Sequence, residues 1–85
     1  MNFFVYMLIS NEFSSIKTYV GYTNNLQNRL KKHNSNKGAK STKGRKWKII
    51  FKKKFLNKSL AMSFEYKLKK DYKLRNKIKN KYLNA

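Results

Sequence analysis

Residues 18–34 read TYVGYTNNLQNRLKKHN, a strand that passes straight into a helix. Thr18, Tyr19, Val20 and Tyr22 are β-branched or aromatic and suit a pleated strand. Gly21 allows close packing or the approach of another group. Asn24 and Asn25 can cap the helix that follows. On that helix Leu26 and Leu30 share a face, with Arg29 and His33 at i and i+4 beside it. A tyrosine, an arginine and a histidine are thereby held near one surface. This is read as the active stretch.

Upstream, Phe3 to Ile9 is a strongly apolar run, short enough for a central strand. Asn11 to Ser15 are mostly polar turn formers leading to a second strand, Lys17 to Tyr22, so an antiparallel hairpin is expected. The first helix spans about Asn25 to Asn34. Ser35 to Lys46, SNKGAKSTKGRK, has two glycines, five basic residues and no large apolar side chain. It reads as a mobile loop suited to phosphates, with Lys37, Lys40, Lys43 and Arg45 as the nucleic-acid contacts; the bland alternative is a solvated linker. Its spacing does not match a nucleotide-triphosphate loop.

Trp47 to Phe55 is expected as a third strand, at an edge because of its lysines. Asn57 or Ser59 can cap a second helix over about Leu60 to Lys73, with Leu60, Phe64, Leu68 and Tyr72 as its buried stripe. Leu74, Ile78 and Tyr82 mark a short third helix over Arg75 to Leu83. The sequence thus predicts one α+β domain over residues 1–85, a small three-stranded antiparallel sheet flanked by helices in the order β-β-α-β-α-α.

There is no cysteine, which excludes disulfides and thiolate zinc sites. No apolar run approaches the ~18 residues of a membrane span, and the start lacks the basic end of a signal peptide; a cytoplasmic protein without membrane association is expected. Lysine and arginine number 22 against 3 acidic residues, a formal charge of +19. Such a chain repels itself, and a polyanion relieves the repulsion, so nucleic acid is the expected partner.

Only Glu12, Glu65 and Asp71 are acidic. Glu12 is expected to be solvated in the hairpin loop. Asp71 lies about 240° round the helix from Glu65, so the two cannot share a site. Glu65 falls at the margin of the buried stripe, where a carboxylate needs a partner. That partner is either a neighbouring lysine or a Mg²⁺ ion, which takes one or two carboxylates, several waters and phosphate oxygens. With one suitable acid a two-metal mechanism is disfavoured. The proton acceptor would be His33, a tyrosine or a metal-bound water.

At this point the pattern resembles the GIY-YIG nuclease family. Its first motif corresponds to Phe4, Val5 and Tyr6 in FFVYML, and its second to Tyr19, Val20 and Gly21 in TYVGYT. The first motif lacks its glycine and isoleucine here. The family's arginine falls on Arg29, its histidine on His33 and its metal-binding glutamate on Glu65. HNSNKGAKSTKGRKWKIIF resembles the small stand-alone branch, related to the nuclease module of bacterial excision repair. The resemblance implies a metal-dependent endonuclease that hydrolyses DNA phosphodiester bonds with Mg²⁺ or Mn²⁺, acting in DNA repair or on branched or damaged DNA. Tyr6 and Tyr19 would line the site, one of them positioning or deprotonating the attacking water; Arg29 would bind the scissile phosphate, His33 would assist by hydrogen bonding or proton transfer, and Glu65 would hold the metal. The alternative is a DNA- or RNA-binding module that does not cut; a basic ribonucleoprotein component is a third. The plainer readings are that Tyr6 and Tyr19 are core aromatics with satisfied hydroxyls, His33 a surface helix residue and Arg29 another generic phosphate contact.

Overall fold

A computed structural model describes residues 2–85. Its elements are β1 (Phe3–Glu12), β2 (Ser15–Thr23), α1 (Leu26–Asn34), a 3-10 turn (Lys40–Thr42), β3 (Lys48–Phe55), α2 (Lys58–Lys70) and α3 (Tyr72–Leu83). The order β-β-α-β-α-α is the one expected. The sheet is antiparallel with β1 between β2 and β3. An apolar run in the middle and a lysine-rich strand at an edge follow the sequence reading.

Alternation along β1 builds two cores. Val5 and Met7 point to one face, where Val20, Ala61 and Leu68 join them and Phe64, Leu74 and Ile78 pack alongside. Tyr6 and Leu8 point to the other, with Trp47, Tyr19, Leu26 and Leu30. The sheet is therefore covered by α2 and α3 on one side and by α1 on the other. Opposite the Met7–Leu8 step, β3 carries one extra residue, Ile50, a bulge that bends this edge.

Four expectations are corrected. The hairpin connection is far shorter than Asn11 to Ser15: Glu12 pairs with Ser15, and Phe13 and Ser14 alone turn the chain, at φ 53° and 58°. Two positive angles make the primed turn that matches strand twist. Glu12 is consequently a strand residue, and its carboxylate accepts the Lys46 N–H at 2.6 Å. The stripe expected on α2 holds for Phe64 and Leu68, but Leu60 and Tyr72 are exposed. Tyr72 leaves the stripe because α2 ends at Lys70 and Asp71 caps the next helix, accepting the Leu74 N–H at 3.0 Å. Finally, residues 35–46 are not a loose loop, as described below. Among the described residues no helix is long and apolar enough to cross a membrane.

Serine gains nothing from a left-handed backbone that glycine adopts freely. Ser14→Gly is expected to raise stability by about 0.5–1 kcal/mol, read as a higher urea midpoint at unchanged slope.

Candidate active site

Asn25 caps α1 by accepting the Asn28 N–H at 3.1 Å, and this start fixes the rotation of the helix. Arg29 and His33 then stand one turn apart over the face of the sheet that carries Tyr6. His33 is fully buried, not a surface helix residue. Its Nε2 lies 2.9 Å from Tyr6 Oη, and its Nδ1 lies 2.9 Å from Thr42 Oγ1. Arg29 donates from Nε to Tyr6 Oη at 3.4 Å. The Tyr19 ring stands 4.9 Å from the imidazole and 6.4 Å from the Tyr6 ring, centroid to centroid. Four of the five side chains expected in the site therefore meet at one point.

Two glycines make the meeting possible. Gly21 pairs with Tyr6 across the sheet, and the Tyr6 ring lies across it. A Cβ on Gly21 would stand 2.5 Å from Tyr6 Oη and 2.8 Å from its Cζ. Gly38 fills the same role beneath the histidine, where a Cβ would press on the imidazole ring and stand 3.0 Å from His33 Cα. The sequence reading assigned close approach to Gly21 and missed Gly38.

The fifth residue comes from the other layer. Glu65 sits on α2, its side chain 17% exposed, with Lys69 Nζ at 3.7 Å. Burial pushes the Tyr6 pKa up to about 12, against the pull of Arg29, with Tyr19 and then Glu65 adding smaller upward pushes. The same hydrogen bond, with the two tyrosines nearby, raises the Arg29 pKa, so the guanidinium stays charged. Burial and the Arg29 charge lower that of His33. The resting site thus holds a neutral phenol, a neutral imidazole and a fixed cation.

These shifts carry a pH signature. His33 is lowered, so the folded chain binds fewer protons than the unfolded one below about pH 6.5. The stability from neutral His33 is complete above that value and is lost as pH falls through it. Tyr6 acts in the opposite sense: its contribution is complete below about pH 10 and is lost as pH rises towards about 12. Only three side chains are acidic, so His33 is expected to dominate the acid limb. The urea midpoint should fall between about pH 7 and pH 5; a flat midpoint over that interval would contradict a buried neutral imidazole.

Among the expected phosphate contacts, Lys37, Lys40 and Lys43 are exposed. Arg45 is different. Its guanidinium donates to Ser10 Oγ (2.9 Å), to Ser15 Oγ (3.1 Å), and to the carbonyls of Ser10 (3.2 Å), Glu12 (3.2 Å) and Ser15 (2.8 Å). Those donors hold the end of the hairpin and are not turned to phosphate. The segment that Arg45 anchors is further tied by Trp47, whose Nε1–H donates to the Thr42 carbonyl at 2.9 Å, and by Thr42, which is fully buried. Two cations were missed. Lys32 and Lys58 line, with Arg29, Phe3 and Tyr22, an open hollow of about 340 Å³. Lys32 follows Arg29 by three on the same helix, a signal present in the sequence; Lys58 arrives through tertiary packing alone.

The fold is that of a GIY-YIG domain, and the chain belongs to that family: the model of the GIY-YIG catalytic domain matches residues 2–81. Within the family the chain is similar to the UPF0213 proteins. One from Oceanobacillus iheyensis is 54% identical over 52 residues, 60% of this chain and 60% of that protein's own length. Another, from Bacillus velezensis, is 42% identical over 81 residues, 94% of this chain and 76% of its own. The solution NMR structure of a UPF0213 protein from Bacillus halodurans superposes with a TM-score of 0.50 at 34% identity, over 94% of this chain and 84% of that one.

Proposed function

We propose that the domain is a metal-dependent endonuclease that hydrolyses DNA phosphodiester bonds, with branched or damaged DNA as its substrate. One observation supports this above the rest: Tyr6, Tyr19, Arg29 and His33 converge beside a cationic hollow while the Tyr6 hydroxyl lies within proton-transfer distance of His33. A phenol paired to a neutral imidazole beside phosphate-binding cations is what proton transfer at a phosphodiester needs.

Arg29 binds the scissile phosphate and stabilises the charge that grows on it in the transition state. Lys32 and Lys58 take flanking phosphates, with Lys37, Lys40 and Lys43 further out. Tyr19, half-buried, orients the attacking water. As the water oxygen bonds to phosphorus, its proton passes to Tyr6 Oη and the Tyr6 proton passes to His33 Nε2. The phosphorus–oxygen bond to the leaving group breaks, its electron pair stays on the departing oxygen, and solvent supplies that oxygen's proton. Transfer through Tyr6 requires His33 as acceptor, because a phenol at about 12 does not ionise alone near neutral pH.

Among the described residues no three His, Asp or Glu side chains gather into a metal cage. Glu65 alone fits an ion that keeps most of its waters and shares the substrate phosphate, which is the habit of Mg²⁺ and Mn²⁺. When bound, such an ion would supply positive charge to the phosphate oxygens.

The alternative, a module that binds DNA or RNA without cutting, draws on the low exposure of Tyr6, 1%. A panel of plasmid, duplex, flap and junction DNA, incubated with Mg²⁺ or Mn²⁺ and with chelator, separates the two. Metal-dependent nicking supports the nuclease. Tight binding by folded protein with no cleavage of any substrate in either metal supports the module.

A further inference from the structure

We propose that Thr42 is a positioning residue that fixes which nitrogen of His33 carries its proton, and so makes His33 the acceptor of the Tyr6 proton. For its catalytic consequence the inference rests on the reaction proposed above.

A carbonyl can only accept, and Thr42 Oγ1 lies 2.8 Å from the Ala39 carbonyl. The threonine has one hydroxyl proton, and that contact uses it. What Thr42 Oγ1 offers to His33 Nδ1 at 2.9 Å is therefore a lone pair, so Nδ1 bears the N–H and donates. In a neutral imidazole Nε2 is then bare. The group 2.9 Å from Nε2 is Tyr6 Oη, and it must be the donor. Its lone pairs are left for Arg29 Nε–H.

The reverse tautomer leaves the site frustrated. Nε2–H and Arg29 Nε–H would both donate into Tyr6 Oη, and the phenol's own proton would lose the imidazole acceptor that stands 2.9 Å away. Thr42 would also have to turn its proton away from Ala39. Every charged or titratable group facing His33 is compatible with the first arrangement. Tyr6 comes from β1, Tyr19 from β2 and Arg29 from the histidine's own helix, while residues 39–42 present a neutral hydroxyl.

The segment is built to hold that hydroxyl still. Thr42 is fully buried, its backbone N–H donates to the Ala39 carbonyl at 3.1 Å, and its carbonyl accepts from Trp47. Gly38 lets the strand of chain lie against the ring. A backbone acceptor at Nδ1 would do the same service elsewhere; here a side chain does it.

His33 is the only histidine, so its two ring nitrogens give one unambiguous pattern in a long-range proton–nitrogen NMR spectrum. At neutral pH the wild type is expected to show Nδ1 protonated and Nε2 bare. Thr42→Val keeps the shape and deletes the hydroxyl; its imidazole is expected to shift towards the Nε2–H form, and Thr42→Ser to restore the original. Cleavage by the valine variant is expected to fall roughly 10- to 100-fold in kcat with KM unchanged, with serine recovering most of it. A wild-type imidazole protonated on Nε2 would overturn the inference without any variant. So would a folded Thr42→Val protein with an unchanged Nδ1–H pattern. If wild type cuts no DNA while the spectra behave as stated, the nuclease reading fails and the tautomer assignment stands.

Discussion

Glu65→Ala is expected to lower DNA cleavage by about a thousandfold or more while DNA binding changes by less than about twofold. No other acid can take over. Glu12 is bound to the Lys46 N–H, and Asp71 caps α3. The fold should survive, because the side chain is at the margin of α2 and alanine is a good helix former. The lost pair with Lys69 is worth only about 0.3–0.5 kcal/mol. Removing one negative charge from a chain of +19 can only favour polyanion binding. Single-turnover cleavage beside a binding titration at fixed salt gives both numbers. Cleavage within about tenfold of wild type would remove Glu65 from the role of metal ligand.

Gly21→Ala is expected to cost about a hundredfold in cleavage, through geometry and not through chemistry. The new methyl would stand 2.5 Å from Tyr6 Oη and 3.1 Å from Tyr19 Cε2. Neither ring can step aside freely. Tyr6 is buried and bound to His33 and Arg29, and Tyr19 lies against the imidazole. The clash has to be taken up by moving the phenol or parting the strands, an overpacking cost of about 1–3 kcal/mol. Tyr6→Phe in the same chain removes the nearest atom. The double variant should regain part of the stability and none of the activity, a non-additivity that a double-mutant cycle reads directly. Full activity in folded Gly21→Ala protein would mean that the position of the tyrosine hydroxyl is not under tight control.

Much of this geometry was legible because it is local. The apolar run of β1, the strand and helix around Gly21, and the asparagine caps at Asn25 and Asn57 are set by neighbours within four residues. The same locality brought Arg29 and His33 to one face. What was misread depends on distant partners. Arg45 looks like any basic loop residue until the end of the hairpin, 30 to 35 positions earlier, supplies its acceptors. Thr42 and Gly38 carry no local mark of their contact with the imidazole. The error over Tyr72 is of another kind: the four-residue spacing of apolar side chains carried the stripe past Asp71, where α2 has ended and α3 is capped.

The grip of Arg45 on the hairpin also bears on the order in which the molecule assembles. Ser10, Glu12 and Ser15 become acceptors in the right place only once β1 and β2 have paired, a step that closes two residues of turn. Fastening residues 35–46 requires closing a loop of about thirty residues, which is slower and entropically dearer. The wall over the histidine is therefore expected to assemble late, and contacts that form late govern how fast a protein comes apart more than how fast it forms. An arginine that touches none of the reacting groups is thus expected to bear on the lifetime of the assembled site.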